Sequence, residues 1–281
     1  MISCSSSSKI GVYVDTANIY RSGGSRMQYD VLREFACRDG AELVRLNAYV
    51  SYDADRAGND QGYREGVNRF YAVLRDLGYK VIIKEVKWYE DESGKRYGKA
   101  NADLDMAVDL MLQTQNLDRV LLVSGDGDFS RVVTAAQNRG CRVEVVALDN
   151  VSPELRYASD MFISGYLIPN LVPTNGEGGE LPWGEAGSRV RGVCYYHNGE
   201  HDYGFMRFMG ALGPDLWLTD TKRPDSPYTA AYFRDAWLPS NVNRGLLPSY
   251  NYIFEFELAE SNHPNGKFEA REIKLVSRLP G

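Results

Sequence analysis

Apolar positions over the first 169 residues switch repeatedly between two spacings. KIGVYVD (9–15) is a short β-branched apolar run, the mark of a buried strand. Over 29–38 the apolar residues Val31, Leu32, Phe35 and Ala36 fall at helical spacing, and 42–50 reads as a strand again. Val67, Phe70, Tyr71 and Leu74 predict a helix over 61–77, stopped by Gly78. YKVIIKEV (79–86) is a strand, 101–114 a helix, RVLLVSG (119–125) a strand, 128–138 a helix and CRVEVVAL (141–148) a strand. A short helix at 153–159 and a strand at 162–163 close the series. Strands alternating with helices predict an α/β fold, a parallel sheet with helices on both faces joined by right-handed crossovers. Ligands of such sheets bind beyond the carboxyl ends of the strands.

After residue 169 the pattern changes. NLVPTNGEGGELPWGEAGS (170–188) is rich in Gly, Pro and Glu and reads as a linker. Over 189–276 helical periodicity is lost, and aromatic-rich runs alternate with Gly, Pro, Asn and Asp, as in a small β-barrel or sandwich. The expected organisation is a disordered N-terminus (1–8), an α/β domain (9–169), a linker (170–188) and a β domain (189–281).

Composition narrows the function classes. The 281 residues suffice for one large or two ordinary domains, with 43% apolar and 25% charged residues. No apolar run reaches the roughly 18 residues of a membrane-spanning helix. The opening MISCSSSSKI lacks the basic start and apolar stretch of a secretory signal. Cys4, Cys37, Cys141 and Cys194 form no CxxC spacing, which argues against a disulfide framework and a zinc site. The expectation is a cytoplasmic chain with reduced thiols. The net charge of −6 speaks against gripping nucleic acid by bulk charge. Its distribution is uneven. Residues 1–169 hold 21 bases and 24 acids, 170–188 three acids and no base, and 189–281 eleven of each. If four acids of the first part face a bound cation, the rest of that part is neutral to basic.

The informative acids sit at strand ends. Asp15 closes the first strand, with Asn18 three residues on. Asp126 and Asp128 follow RVLLV in SGDGDF, and Asp103, Asp105 and Asp109 lie in NADLDMAVDL. In a doubly wound sheet these segments bring Asp15, Asp103 and Asp126 to one edge. Converging carboxylates repel one another unless a hard divalent cation neutralises them. Mg²⁺ or Mn²⁺ prefers such ligands, can activate a water and can bind a phosphoryl oxygen. Each acid alone also fits an ordinary helix cap, and Asp109, four residues after Asp105, fits a solvated helix face.

VYVDTANI, KANADLDMAVDLM, LLVSGDGDF and RVEVVAL, in this order and spacing over about 9–168, resemble the NYN domain, in the LabA-like branch of the PIN-like nuclease superfamily. The resemblance implies a PIN-like fold and metal-dependent endoribonuclease activity. It implies a metal site at Asp15, Asp103, Asp126 and Asp128, and a ligand- or water-orienting role for Asn18. It matches Ser124 to the small hydroxyl residue before the acidic turn and Lys99 to the basic residue before the second acidic motif. One departure is KANAD where the family often reads K-G-x-D, which shifts Lys99 relative to Asp103.

Lys87, Arg96 and Lys99, with Trp88, Tyr89 and Tyr97 interleaved, lie in a segment (88–100) that reads as an exposed loop able to hold phosphates and stack bases. Glu90, Asp91 and Glu92 cancel charges there, so a merely solvated loop stays open. A second polar loop, 51–62, with Arg56 and then Arg64, is the candidate opposite rim.

RGVCYYHNGEHDYGFMRF (191–208) resembles the opening hairpin of a cold-shock or OB-type barrel. Residues 203–206 match its second strand, 215–218 the next, 252–258 a later one and 270–276 the last, with 222–250 as an insertion. The resemblance implies base stacking on Tyr203, Phe205 and Trp217, and core or interface packing is the other reading of these rings. Asp202 and Thr219 stand where the family usually has Lys and His. His197, His201 and His263 read as surface turn residues.

These readings lead to a metal-dependent endoribonuclease acting on single-stranded RNA, its barrel aiding RNA binding or homo-oligomeric assembly, with no membrane partner. The alternative is a non-catalytic RNA-binding or scaffold protein that keeps the fold. A phosphomonoesterase is a third reading, disfavoured by Ala17 in place of a second D-x-D acid.

Overall fold

The structure is a computed structural model that describes residues 7–90, 93–94, 96–174, 181–261 and 267–280, with the side chains of Tyr97 and Lys99 excepted. The chain divides into two compact units. One runs to Ser25 and resumes over Leu32–Phe162; the other joins Arg26–Val31 to the chain from Ile163 onward.

Through the first half the elements are β1 (Lys9–Asp15), α1 (Thr16–Arg21), α2 (Tyr29–Ala36), β2 (Glu42–Tyr52), α3 (Ala54–Asn59), α4 (Gln61–Asp76), β3 (Lys80–Glu85), β4 (Lys87–Glu90), β5 (Arg96–Lys99), α5 (Ala102–Gln113), β6 (Arg119–Val123), α6 (Ser130–Gln137), β7 (Arg142–Ala147), α7 (Pro153–Ala158) and β8 (Met161–Ser164). Six strands form one sheet in the order β3-β2-β1-β6-β7-β8, and β4 pairs with β5 in a separate hairpin. The pairings β3–β2, β2–β1, β1–β6 and β6–β7 are parallel. This is the expected α/β fold. Six of the seven residues of β1 and all five of β6 are buried, because helices cover both faces. On one face Tyr13, Tyr49, Leu122, Val143 and Val145 pack with Met106 and Leu110 of α5 and Val133 of α6.

Glu144, between Val143 and Val145, points to the opposite face by strand alternation. It is 1% exposed and meets the guanidinium groups of Arg38 (2.9 Å), Arg142 (3.1 Å) and Arg119 (3.7 Å). Arg119 also holds Asp39 at 2.8 Å. Burial of one anion is thus offset by several cations rather than one.

The second unit contains β9 (Arg189–Asn198), β10 (Tyr203–Met209), β11 (Tyr228–Arg234), β12 (Ser249–Glu260) and β13 (Phe268–Arg278). They close a five-stranded barrel in the order β9-β10-β11-β13-β12. β11 and β13 run parallel, and the other pairings are antiparallel. Met206, Phe208, Phe233, Phe254 and Phe256 fill its interior. β10 alternates strictly, with Gly204, Met206 and Phe208 inside and Tyr203, Phe205 and Arg207 outside. A Cβ on Gly204 would lie 2.5 Å from the Phe233 ring and 2.6 Å from the Tyr196 carbonyl, so only glycine lets that ring cross the strand. Glu255 is a buried acid of this unit, paired with Arg191 at 2.9 Å and Arg189 at 3.3 Å.

Several local expectations are corrected. Residues 88–100 are not a loop: β4 and β5 make a hairpin whose strands, four residues each, are too short to show a period. The loop 51–62 contains α3, whose N-cap Asp53 accepts the Arg56 N–H; it buries only Ala57, so no apolar stripe announced it. Residues 215–218 are not a strand. Leu216 and Leu218 are buried and Trp217 is 74% exposed, an in-out-in pattern that mimics one. The third barrel strand is β11, inside the supposed insertion, where alanines and two nearby prolines hid it. His197 is no surface turn residue: it lies on β9, and its Nε2 meets buried Asp235 at 2.9 Å. Asp109 is no plain solvated acid, since the Tyr49 hydroxyl donates to it at 2.8 Å. Residues 1–6 of the expected disordered N-terminus, 175–180 of the linker and His263 lie outside the described residues.

Removing the Glu144 carboxylate would leave buried guanidinium groups uncompensated. Glu144→Ala should cost about 3–5 kcal/mol in denaturant unfolding. Asp225→Ala, which breaks the exposed Arg223–Asp225 pair, should leave the unfolding midpoint nearly unchanged. Equal losses for the two variants would refute the assignment.

Candidate active site

β1 and β6 are parallel neighbours, so their carboxyl ends open on one edge of the sheet. Asp15 ends β1 and is 4% exposed. Its Oδ1 accepts the Asn18 N–H at 2.9 Å, which caps α1. Its Oδ2 accepts the Ser124 hydroxyl at 3.2 Å. Asn18 Oδ1 accepts the Gly125 N–H at 2.9 Å, and Ser124 Oγ accepts the Asp126 N–H at 3.2 Å. Asp126 Oδ1 in turn accepts the Asp128 N–H at 3.0 Å, capping a 3-10 turn over Gly127–Phe129. Asp15, Asn18, Ser124, Asp126 and Asp128 are therefore one hydrogen-bonded set. Gly125 belongs to it for a steric reason, since a Cβ there would sit 3.1 Å from the Asn150 carbonyl and the Val151 Cα.

Asp103 joins from a third direction. α5 precedes β6 and packs on β1 and β2, so its N-terminus lies at the same edge, with Asp103 in its first turn. Its carboxyl is pushed up to about 6, first by desolvation and then by the negative charges of Asp15 and Asp126, with Asp128 adding. Burial likewise raises the Asp15 carboxyl, against the Asn18 N–H and the Ser124 hydroxyl, and Asp126 adds to the rise. Arg21, in the last turn of α1, opposes both shifts. This cation was missed in the sequence; its signal is a base one short helix after the first strand-end acid.

Asp105 and Asp109 are committed elsewhere. Asp105 pairs with Lys84 at 2.7 Å, and Asp109 accepts from Tyr49. Among the described residues, no three acid, His or Cys side chains stand close enough in this conformation to enclose an ion. The donor set still fits one. Four carboxylates from three segments meet at one edge, the charges of their neighbours push the Asp15 and Asp103 carboxyls up, and an oxygen-preferring divalent cation relieves that repulsion.

The candidate basic residues divide. Arg96 lies over the Trp88 ring at 5.4 Å and reaches Asp55 at 3.6 Å, so the hairpin meets α3. Lys87 is exposed on β4, and Arg64, on α4, donates to the Ala57 carbonyl at 3.4 Å. The Lys99 side chain lies outside the described residues. In the barrel, Tyr203 and Phe205 join Tyr196 and Tyr232 in an outward ring cluster with centroids 5.8–6.1 Å apart. A groove of about 980 Å³ runs along it, with Lys222 and Lys267 in its wall. The resemblance pointed to Tyr203 and Phe205 but not to Tyr196 and Tyr232. Trp217 is 74% exposed and lies outside the barrel strands.

Comparison with known proteins adds the following. The family model for the NYN domain matches residues 9–169. The Low amplitude and bright protein LabA of Synechococcus elongatus is 32% identical over 163 residues, which cover 56% of this chain and 83% of that protein. A crystal structure of a protein of unknown function from Vibrio parahaemolyticus is 26% identical, with a TM-score of 0.45, over 56% of this chain and 93% of its own. The tetrameric inhibited form of phosphofructokinase-2 from Escherichia coli is 15% identical with a TM-score of 0.28, over 56% of this chain and 57% of its own.

The raised Asp103 carboxyl has a sign that can be checked. Its folded value, about 6, lies above the ordinary 3.8, so the folded protein keeps a proton that the unfolded chain releases. This contribution to stability therefore falls as pH rises from about 4 to about 6 and stays low above that. Metal-free Asp103→Asn should be more stable than the parent at pH 7 and level with it near pH 4. Because Asp103 is exposed, screening limits the gain to about 1 kcal/mol. Urea unfolding in EDTA at the two pH values measures it, and a pH-independent difference would contradict the shift.

Proposed function

The chain belongs to the NYN domain family, a branch of a nuclease superfamily, and from that premise we propose that it is a metal-dependent endoribonuclease that hydrolyses phosphodiester bonds of single-stranded RNA. The observation that carries this reading is the convergence of Asp15, Asp103, Asp126 and Asp128 on one sheet edge, tied together through Asn18 and Ser124.

In this reading these four carboxylates hold Mg²⁺ or Mn²⁺. Such a cation, when bound, polarises a phosphoryl oxygen and makes a water more acidic. Asp15 is fixed by two hydrogen bonds and contributes a carboxylate whose direction is set before substrate arrives. Asn18 and Ser124 hold the two strand-end turns in register, and their roles are positioning ones. Arg21 offers a fixed positive charge beside the acids, suited to a non-bridging phosphate oxygen.

The barrel supports the RNA part of the proposal. Its closed five strands, with the third parallel to the fifth, fit the OB-type barrel of this reading. Its outward rings and flanking lysines suit stacking of unpaired bases, worth about 1–3 kcal/mol each. A non-catalytic RNA-binding or scaffold protein is the second reading. It is favoured by the open spacing of the acids in this conformation.

The deciding experiment is cleavage of a labelled single-stranded RNA with Mn²⁺, with Mg²⁺ and with EDTA. The parent should cut with either metal and not in EDTA. Asp126→Asn should lose about 100-fold or more in rate, beyond what outer-sphere changes cost, while keeping its circular dichroism spectrum. Equal cutting by the variant would overturn the site. Tight binding without cutting by the parent would establish the second reading.

A further inference from the structure

The carboxyl edge of the sheet holds a second concavity besides the acidic site. β2 runs three residues past Tyr49, the partner of Asp15, and passes into α3, while β3 passes into the β4–β5 hairpin. Where α3 and the hairpin meet lies a cavity of about 260 Å³, lined by Asp53, Asp55, Arg56, Asn59, Trp88 and Arg96. That is below the size of a drug-like pocket and suits one planar ring system. Trp88 is 41% exposed, and its indole N–H donates to Asp53 Oδ1 at 3.4 Å, which orients the ring; the Arg96 guanidinium lies over that ring at 5.4 Å, so a base stacking there takes its place and meets it at the edge. Asp53 Oδ1 also accepts the Arg56 N–H at 3.0 Å, and Asn59 Nδ2 donates to the Asp55 carbonyl at 2.8 Å. One wall therefore belongs to a capped helix, not to a loose loop.

The charges in this cavity are two carboxylates and two guanidiniums, which cancel. A phosphate gains little there, because the aspartates repel it. A neutral ring with both donors and acceptors gains most. Asp55 is the acid free of a capping role, and its contact with Arg96, at 3.6 Å, is long enough to yield to better partners. Guanine presents two adjacent N–H donors on its Watson–Crick edge, which match a carboxylate in bidentate fashion, and O6 and N7 acceptors, which match a guanidinium. Uracil, cytosine and adenine each lack the paired donors.

We infer that this cavity is a base-reading pocket for an unpaired guanine, which stacks on Trp88 while Asp55 accepts from N1–H and N2–H and an arginine, Arg96 or Arg56, donates to O6 and N7. This rests on the reading of the substrate as single-stranded RNA. It deepens that reading by placing a sequence preference a few residues along the edge from the acidic cluster. Of the strand ends that carry the pocket, β2 stands next to β1 in the sheet and β3 lies beyond β2, so one strand of RNA can reach both places.

The test uses the full chain in EDTA, where no metal-dependent cleavage occurs, with fluorescently labelled pentauridylate and its three derivatives carrying guanine, adenine or cytosine at the centre. Anisotropy titration should show the guanine pentamer bound about tenfold or more tighter than the others. Asp55→Asn, whose side chain is 69% exposed and whose fold should survive, should bring all four within about twofold. Trp88→Ala should weaken the guanine pentamer most. Four pentamers bound within about twofold by the parent, or a guanine preference that survives Asp55→Asn, would overturn the pocket. Because no cutting is read, failure of the nuclease proposal leaves this result standing, and failure of the pocket leaves the cleavage result standing.

Discussion

The site depends on a repulsion and on what restrains it. Asp15 and Asp126 follow adjacent parallel strands, and nothing in the sheet itself keeps their negative charges together. Two neutral side chains do so. Asn18 reaches from the turn after β1 to the Gly125 N–H after β6, and Ser124 reaches back to Asp15 while accepting the Asp126 N–H. The Ser124 hydroxyl donates to a charged acceptor, where a hydrogen bond contributes most, and the other two bonds satisfy the backbone N–H groups of Gly125 and Asp126. The arrangement has little slack, because Gly125 already touches the Asn150–Val151 backbone. The strain that remains is electrostatic, and it surfaces at Asp103, the member least enclosed by hydrogen bonds.

Stability and function lie at opposite ends of the same strands. Arg119 and Arg142 open β6 and β7, and with Arg38 they surround Glu144 near the amino end of the sheet. The acids that would hold a cation gather at the carboxyl end. A buried acid with several guanidiniums is costly to desolvate and intolerant of loss, so it constrains the fold without needing any ligand. The carboxyl-end acids are the reverse case: they crowd at one edge, and in the proposed function an external cation would relieve that crowding. The barrel repeats the first device in Glu255 with Arg189 and Arg191, whose guanidinium also reaches the Val172 and Pro173 carbonyls.

Much of this was legible in the sequence, for physical reasons. The central strands β1 and β6 are nearly continuous apolar runs because both faces are covered, and α4 is long enough to display its period. Acids immediately after such strands must sit at the carboxyl edge, so Asp15 and Asp126 could be placed without coordinates. What stayed hidden was short or built on small residues. α3 buries one alanine, β4 and β5 have four residues each, and β11 turns Ala231 and Phe233 inward with little else to mark it. The alternation at 215–218 misled because buried Leu216 and Leu218 flank an exposed Trp217 in a loop as they would in a strand. Arg21 and the packing of Tyr196 and Tyr232 on Tyr203 and Phe205 escaped because tertiary placement, not local pattern, gives them meaning.

A chain with a net charge of −6 cannot draw in a polyanion by its overall field. Its cations are instead placed against rings. Arg96 lies over Trp88, Arg271 over Trp237 at 3.7 Å, and Arg207 among Tyr195, Tyr228 and Tyr250 at 5.1–5.7 Å. A guanidinium held flat on an aromatic face keeps its charge while presenting a wide apolar plane, and such planes favour unpaired bases over a duplex, whose bases are already stacked. Few phosphates are neutralised in this way, so affinity gained by stacking varies less with salt than affinity gained by counterion release. The acidic edge fits the same economy. In the proposed function it would repel a phosphate until a divalent cation is present, so binding by the rings and engagement of a phosphate would be separable events governed by different chemistry.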